Sequence, residues 1–379
     1  MPLDIHELLR LAVQRQASDL HLKVGVPPVL RIDHELVPLQ DRPPINRADL
    51  DTIFAAVTTE RQRQQFAERR ELDLAYGVSG LGRFRANLFQ QRGTYGIAFR
   101  VIPLQVQTIE ELNLPPIIGK LATEPRGMVL VTGTAGSGKS TTLAAMIDHI
   151  NNNRTGHILT IEDPIEFLHR DKRCLINQRE VGVDTESFAE ALRSALRQDP
   201  DVILVGEMRD FDTVSNAILA AETGHLVMST LHTIDAAETV NRIIAFFPPY
   251  QQKQIRLQLA SVLRGIISMR LIPRADGKGR VPAVEVMVAT ATIRECIAEP
   301  DKTRKIVEVI AAGGSEYGMQ TFDQSLMSLY QRGLVSYQEA LRWSSNPNDF
   351  ALKVRGIESA GDQPWTGEQK GSFLGRKRL

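Results

Sequence analysis

The sequence predicts an α/β fold in two unequal parts, and three observations carry that prediction. From Arg126 onward, short β-branched apolar runs alternate with helical stretches, the pattern of a parallel sheet with helices packed on it. Earlier in the chain, the runs LDLAYGV, GRFRANLFQQ and TYGIAFRVIP alternate polar and apolar residues like antiparallel strands. Between these regions, residues 103–116 hold three prolines and little periodicity, which suits a linker. At 379 residues the chain is also too long for one ordinary core.

The elements follow in order. Residues 3–17 place Ile5, Leu8, Leu9, Ala12 and Val13 on one helical face. Ser18 to Leu22 reads as a first strand, and PPVLRIDHELVPL as a hairpin turning near Asp33 and His34. One helix is expected from about Arg47 to Arg69, with Phe54 and Phe66 on its apolar side. The strands of the second part are MVLVT, HILTIE, DVILVGE and HLVMSTLH. From about Arg270 the chain reads mainly as helices, with VEVMVA a short strand. The expected boundaries are an N-terminal domain at 1–102, a linker at 103–116, a second domain at 117–355 and a disordered tail at 356–379.

Composition excludes several classes. Lys plus Arg equals Asp plus Glu, 45 each, so the overall basic signature of a nucleic-acid binder is missing and no nucleic-acid partner is expected. Two cysteines, Cys174 and Cys296, cannot build a disulfide framework or a four-cysteine zinc site. No apolar run approaches the roughly 20 residues that span a bilayer. A cytoplasmic protein is expected, one that meets a membrane complex only through a partner already there.

The stretch Gly127 to Thr142, GMVLVTGTAGSGKSTT, organises the chain. A buried strand ends at Gly133, and Gly133 to Ser140 then fits G-x-x-x-x-G-K-[ST]. Gly133, Gly136 and Gly138 let the backbone curl so that its N–H groups face a di- or triphosphate. The helix that follows turns its N-terminus to the same anion. Lys139 can reach the β- and γ-phosphates, and the Ser140 hydroxyl can ligate Mg²⁺.

Polar residues also stand at the ends of the other strands. Glu162 and Asp163 follow the second, Glu207 the third and His232 the fourth. In an α/β sheet ligands gather at the carboxyl ends of the strands, so the four ends point to one site. A carboxylate there can position water or hold Mg²⁺, which suits both Glu162 and Glu207. Taken alone, Glu162-Asp163-Pro164 is an acidic turn, Glu166 a solvated acid, His225 a helix-capping turn residue and His232 a core histidine. Gly206 stands where many phosphate-loop proteins have aspartate.

TIEDPIE at 160–166, ALRQDPDVILVGEMRD at 195–210 and TGHLVMSTLHT at 223–233 resemble the aspartate box, Walker B motif and histidine box of the secretion-type hexameric ATPases. With ASDLHL at 17–22 and GMQTFDQSLMSLYQRG at 318–333, the chain resembles the twitching-motility (PilT/PilU) branch over roughly residues 3–353. That resemblance implies a PAS-like N-terminal domain, a RecA-like ATPase domain with a helical C-terminal part, and a homohexameric ring. It implies ATP and Mg²⁺, and hydrolysis coupled to type IV pilus retraction through an inner-membrane platform protein, with a paralogous retraction ATPase as a further partner.

By the same resemblance, Gly133 to Thr141 (Gly133, Thr134, Ala135, Gly136, Ser137, Gly138, Lys139, Ser140 and Thr141) bind phosphate, with Lys139 and Ser140 central. Glu162 and Glu207 are the catalytic or metal-positioning acids, and His232 reads the nucleotide state. Arg85 and Arg100 reach toward the γ-phosphate, where fixed guanidinium groups stabilise spreading charge. Arg193, Arg197 and Arg209 are further basic candidates, structural or at subunit contacts. Extension ATPases of the superfamily usually carry a four-cysteine zinc insertion, which two cysteines exclude, and this tilts the expectation to retraction. ATIRECIAE at 291–299 departs from the AIRNLIRE usual in the retraction branch. An accessory PilU-like ring component with weak ATPase activity and a RecA-like nucleic-acid motor are the alternatives.

Overall fold

The computed structural model describes residues 3–32, 35–103 and 105–355. The expected turn at Asp33-His34 and the tail at 356–379 lie outside the described residues.

The N-terminal half opens with α1 (Ile5–Gln14), β1 (Asp19–Lys23), β2 (Val29–Ile32) and β3 (Glu35–Pro38). Helices α2 (Arg47–Val57) and α3 (Glu60–Arg69) follow, then β4 (Glu71–Val78), β5 (Gly82–Gln91) and β6 (Thr94–Val101). The single helix expected over 47–69 is therefore two. Thr59 starts the second with a capping box, its hydroxyl accepting from Gln62 N while the Gln62 side chain accepts from Thr59 N. That reciprocal pair satisfies donors that a continuous helix would bond internally, so the chain restarts there.

The six strands form one antiparallel sheet in the order β3-β2-β1-β6-β5-β4. Leu20, Leu22, Phe84, Leu88, Ile97 and Phe99 face the helices and pack with Leu8, Leu9, Leu50 and Ile53. Period-two alternation turns Asp19, His21, Arg83, Arg85 and Arg100 to the opposite, polar face.

The second sheet is built from α4 (Ile117–Ala122), β7 (Gly127–Thr132), α5 (Lys139–Asn153), β8 (Gly156–Glu162), β9 (Cys174–Glu180), α6 (Phe188–Ala195), β10 (Val202–Val205), α7 (Phe211–Glu222), β11 (Leu226–Leu231), α8 (Ala236–Ala245), α9 (Pro249–Val262), β12 (Leu263–Pro273) and β13 (Arg280–Val288). Its strand order is β13-β12-β7-β11-β10-β8-β9, all parallel except β13. Strand β11 separates the phosphate-loop strand β7 from β10, and β8 lies beyond β10. Strands β7, β10 and β11 are buried along their whole length, which is why they read as unbroken apolar runs.

After β13 come α10 (Ala291–Ala298), a 3-10 turn at Pro300–Lys305, α11 (Ile306–Ala312), α12 (Gly314–Tyr317), α13 (Phe322–Gln331), α14 (Tyr337–Trp343) and α15 (Pro347–Val354). The region past Arg270 is thus not mainly helical from its start: β12 and β13 form a long hairpin, where only a short strand at VEVMVA was expected. No helix among the described residues is long and apolar enough to cross a membrane.

Candidate active site

The phosphate loop follows directly from β7. Gly133 has φ +142°, and a Cβ there would stand 2.5 Å from Ser137 Oγ and 2.6 Å from the Met269 carbonyl. Only glycine lets the loop close this tightly against β12. Helix α5 then begins at Lys139 with no side-chain cap on its first turn. Its first N–H groups and positive dipole end are left for an anion. Ser137 Oγ, inside the loop, is buried without a hydrogen-bond partner. Lys139 Nζ donates to the carbonyls of Gly133 at 2.8 Å and Thr134 at 3.0 Å. Burial lowers its pKa from the ordinary lysine value, and the nearby Glu207 charge offsets part of that.

The two acids differ in their surroundings. Glu162 ends β8 and accepts from Thr160 Oγ1 at 2.7 Å, Gln178 Nε2 at 3.1 Å and Glu166 N at 3.3 Å. All three donors are neutral. Burial pushes its carboxyl above the usual carboxylate range, and these hydrogen bonds offset only part of the rise. Glu207 sits beside basic side chains instead. Its Oε1 lies 2.5 Å from Arg209 Nη2 and its Oε2 lies 3.5 Å from His232 Nε2. A Cβ on Gly206 would meet the Ile161 carbonyl at 3.3 Å and Glu162 Cα at 3.4 Å. A side chain here would need strand β8 to give by a few tenths of an ångström, which favours glycine over the aspartate that many phosphate-loop proteins carry there.

Lys139, Ser140, Glu162, Glu207, Arg209 and His232 line one cavity of about 270 Å³ at the carboxyl ends of the strands. Ala135, Gly136 and Glu166 also border it. On the other side of the loop, Gly138 and Thr141 open onto a cavity of about 540 Å³ walled by Glu111 to Leu114 of the connecting segment and by hairpin residues from Arg274 to Pro282. The loop thus stands between a phosphate-side and a larger, more apolar cavity, the shape that a nucleoside triphosphate laid across it requires.

Arg85 and Arg100 are not brought to either cavity. They sit opposite each other on β5 and β6, where Arg100 Nε donates to Asp19 Oδ1 at 3.0 Å and Arg85 Nε lies 3.8 Å from Asp73 Oδ1. His225 is a capping residue: its Nδ1 lies 2.9 Å from the Ala220 carbonyl and 3.3 Å from Thr223 Oγ1, at the end of α7. Arg193 pairs with Asp212 at 3.6 Å on the surface. Arg209, expected to be structural or at subunit contacts, lies in the cavity beside Glu207. Sequence reasoning also missed His169, Phe167 and Phe188 in the same wall. His169 Nδ1 is buried without a partner, and burial pulls the imidazole down to about 4, so it is neutral at physiological pH.

Among the described residues no group of three or more His, Cys, Asp or Glu side chains could hold a metal ion. Mg²⁺ in nucleotide sites binds one or two carboxylates together with substrate phosphates and water. Ser140 and Glu207, with Glu162 across the cavity, offer such an oxygen set beside the uncapped helix end.

The turn that carries His232 is fixed from below. Thr233 and Thr239 share a hydroxyl hydrogen bond of 2.7 Å, and Ala236 N donates to buried Glu285 Oε1 at 2.9 Å. Burial pushes the Glu285 carboxyl up from its ordinary 4.5 to about 7. The folded state therefore favours the protonated form. Its stabilising effect is complete below about 4.5 and is lost as pH rises through about 7, a displacement worth on the order of 3 kcal/mol. Glu285→Gln keeps the carbonyl acceptor and cannot ionise. Chemical unfolding is expected to find the variant more stable than wild type at pH 8, with the difference closing toward pH 5; a pH-independent difference would contradict this.

The sequence profile described as "Type II/IV secretion system protein" matches residues 104–344. The chain belongs to the type II/IV secretion system protein family. Within that family it is 47% identical over 348 residues to the "Type IV pilus retractation ATPase PilT" of Pseudomonas aeruginosa, covering 92% of this chain and 100% of the relative. It is 41% identical over 361 residues to the "Type IV pilus ATPase PilU" of the same organism, covering 95% and 94%. A crystal structure of the pilus retraction motor PilT with bound ADP superimposes with a TM-score of 0.84 at 45% identity, over 91% of this chain and 98% of that one. A solved family member with ADP bound bears on nucleotide use; Mg²⁺ here rests on the fit of its ligands.

Proposed function

We propose that this chain is an ATPase that powers type IV pilus retraction as one subunit of a homohexameric ring. The observation that carries the reading is the convergence of Lys139, Glu162, Glu207 and His232, from four strand ends, on one cavity beside an uncapped helix N-terminus. The likeness to a retraction ATPase along that relative's entire length supports it. The inner-membrane platform protein and a paralogous retraction ATPase are the proposed partners, on the cytoplasmic face of the membrane. The proposed working bodies are residues 1–102 and 117–355, hinged by 103–116.

In this reading the backbone N–H groups of Gly133 to Thr141 hold the phosphates, and Lys139 leaves its loop carbonyls for the β- and γ-phosphate oxygens. Ser140 and Glu207 would hold Mg²⁺, which when bound would supply charge neutralisation at the phosphates. Glu162 takes a proton from water as its oxygen attacks the γ-phosphorus, and the bond to ADP breaks. His232, against Glu207, is placed to respond when the γ-phosphate leaves. Arg85 and Arg100 arrive by closure of the N-terminal body, as ATP rewards their approach and hydrolysis removes that reward.

A second reading, an accessory ring component, is favoured by one observation. In α10 the departing sequence buries Ile293, Cys296 and Ile297 and leaves Arg294 and Glu295 outward, so the change from the retraction pattern lies partly on the surface. A deletion strain separates the readings: pili that persist while twitching is lost indicate the principal motor, and near-normal twitching indicates the accessory role. In the purified protein, Lys139→Ala is expected to weaken binding of a fluorescent ATP analogue by about 10- to 100-fold, through loss of a charge-assisted contact. Unchanged binding would sink the nucleotide site itself.

A further inference from the structure

Arg83 stands where the two halves of the chain meet. Its carbonyl accepts from Ile102 N at 3.0 Å, so it anchors the start of the connecting segment. Its side chain crosses to the other half: Nη2 donates to Oε2 of Glu180, the last residue of β9, at 2.9 Å. The two side chains are only 23% and 7% exposed. Along β5, Arg83 shares a sheet face with Arg85, and Arg85 lies opposite Arg100.

Glu180 is tied to the site from its own side. In the β8–β9 register it lies opposite Glu162, and Val181 N donates to the Glu162 carbonyl at 2.9 Å. The oxygen that receives Arg83 also accepts from Ile165 N at 3.2 Å, in the turn that follows Glu162. One carboxylate oxygen therefore joins the N-terminal sheet to the turn beside the acid assigned as base. Neither Arg83 nor Glu180 lines the two cavities beside the phosphate loop.

We propose that Arg83 and Glu180 are positioning residues for ATP hydrolysis. The pair is a pivot about which the face carrying Arg85 and Arg100 swings, and it transmits that movement to the turn after Glu162. This rests on the ATPase reading above. A contact made beside the start of the connecting segment is displaced little when the sheet rotates, so it can stay formed through the cycle. Its near-burial penalises loss of either partner, because the other charge is then left without its counterpart.

The test uses the full-length, assembled protein and measures ATP turnover and ADP affinity in parallel. Arg83→Ala and Glu180→Gln are each expected to lower kcat about tenfold or more while leaving ADP affinity within about twofold, the signature of lost positioning rather than lost binding. Arg83→Lys is expected to recover part of the rate. The double variant is expected to be no slower than the slower single one, because the two residues act as a unit. Arg83→Ala is expected to cost nothing further in an Arg100→Ala background. Wild-type kcat in both single variants, additive losses, or an equal Arg83→Ala loss in the Arg100→Ala background would each overturn the proposal. Should Arg83→Ala fail to fold, Arg83→Gln carries the same measurements. Lys139→Ala is the control: if it retains the wild-type rate the ATPase reading itself fails, whereas an inactive Lys139→Ala beside fully active Arg83 variants removes the pivot alone.

Discussion

Glu162→Gln is expected to lower kcat for ATP hydrolysis by about 10²- to 10⁴-fold while ATP binding persists, the range for removing a positioned general base. The expectation comes from the contrast between the two acids. Glu207 has Arg209 against one oxygen and His232 3.5 Å from the other, with Lys139 nearby, so both its oxygens are engaged by basic side chains. Glu162 is held by neutral donors, and burial raises its pKa. A base must be deprotonated to act. A raised pKa keeps Glu162 protonated to higher pH than a solvated glutamate, so the wild-type rate is expected to fall on the acid side at a correspondingly higher pH. Phosphate release measured across pH checks both statements. In Glu162→Gln that acid limb is expected to vanish along with most of the rate. Glu207→Gln, in contrast, is expected mainly to raise the Mg²⁺ concentration needed for half-maximal rate. Equal effects of the two substitutions on kcat, with no change in the Mg²⁺ requirement, would reverse the assignment.

The proposed division of labour has a structural origin. Glu162 and Glu207 are set at the ends of β8 and β10, which pair directly in parallel. With the small Gly206 packed closely against Ile161 and Glu162, the two acids approach from adjacent strands into one cavity. Two carboxylates so placed keep distinct roles only if their environments differ. Here one acid is desolvated among neutral donors, and the other is set against basic side chains.

Much of this was legible in the sequence because it depends on local patterns. The phosphate loop, the strand-end acids and His232 sit at fixed offsets from buried strands, and a run such as VILV announces itself. Other features depend on partners distant in the chain. Strand β9, CLINQRE, is an edge strand with one polar face, so its apolar signal is weak; missing it concealed Gln178 and Glu180, which hold Glu162 and Arg83. Strand β12 follows α9 without a breaker, Val262 closing one and Leu263 opening the other, and it is buried on both faces. Periodicity could not tell it from more helix. The wide cavity behind the loop combines the connecting segment with the β12–β13 hairpin, residues more than 150 apart, and no spacing within either segment points to it. The places of Arg85 and Arg100 relative to that loop belong to the same class, since they depend on how two separately built sheets are set.

Those two arginines carry the last and largest expectation. Arg85 and Arg100 are cross-strand neighbours on the polar sheet face, and two like charges so placed repel unless anions lie between them. Asp19 supplies one, taking Arg100 at 3.0 Å and Arg31 at 3.6 Å, and Asp73 lies 3.8 Å from Arg85. Yet the Arg100 side chain is 70% exposed, so its bond to Asp19 is weakly held and can be exchanged for a stronger one. A triphosphate offers that exchange, because charge develops on the transferring phosphoryl group and a guanidinium answers it with two parallel donors. If closure brings Arg100 to the γ-phosphate, Arg100→Ala is expected to lower kcat by about 10³- to 10⁵-fold, as for other arginines that meet a transferring phosphoryl group. Affinity for ADP, which lacks that group, is expected to change little. Single-turnover hydrolysis beside ADP titration makes the comparison. A variant that hydrolyses ATP at the wild-type rate would mean that the two sheets need not close for catalysis, and the coupling of chemistry to movement would have to arise between subunits instead.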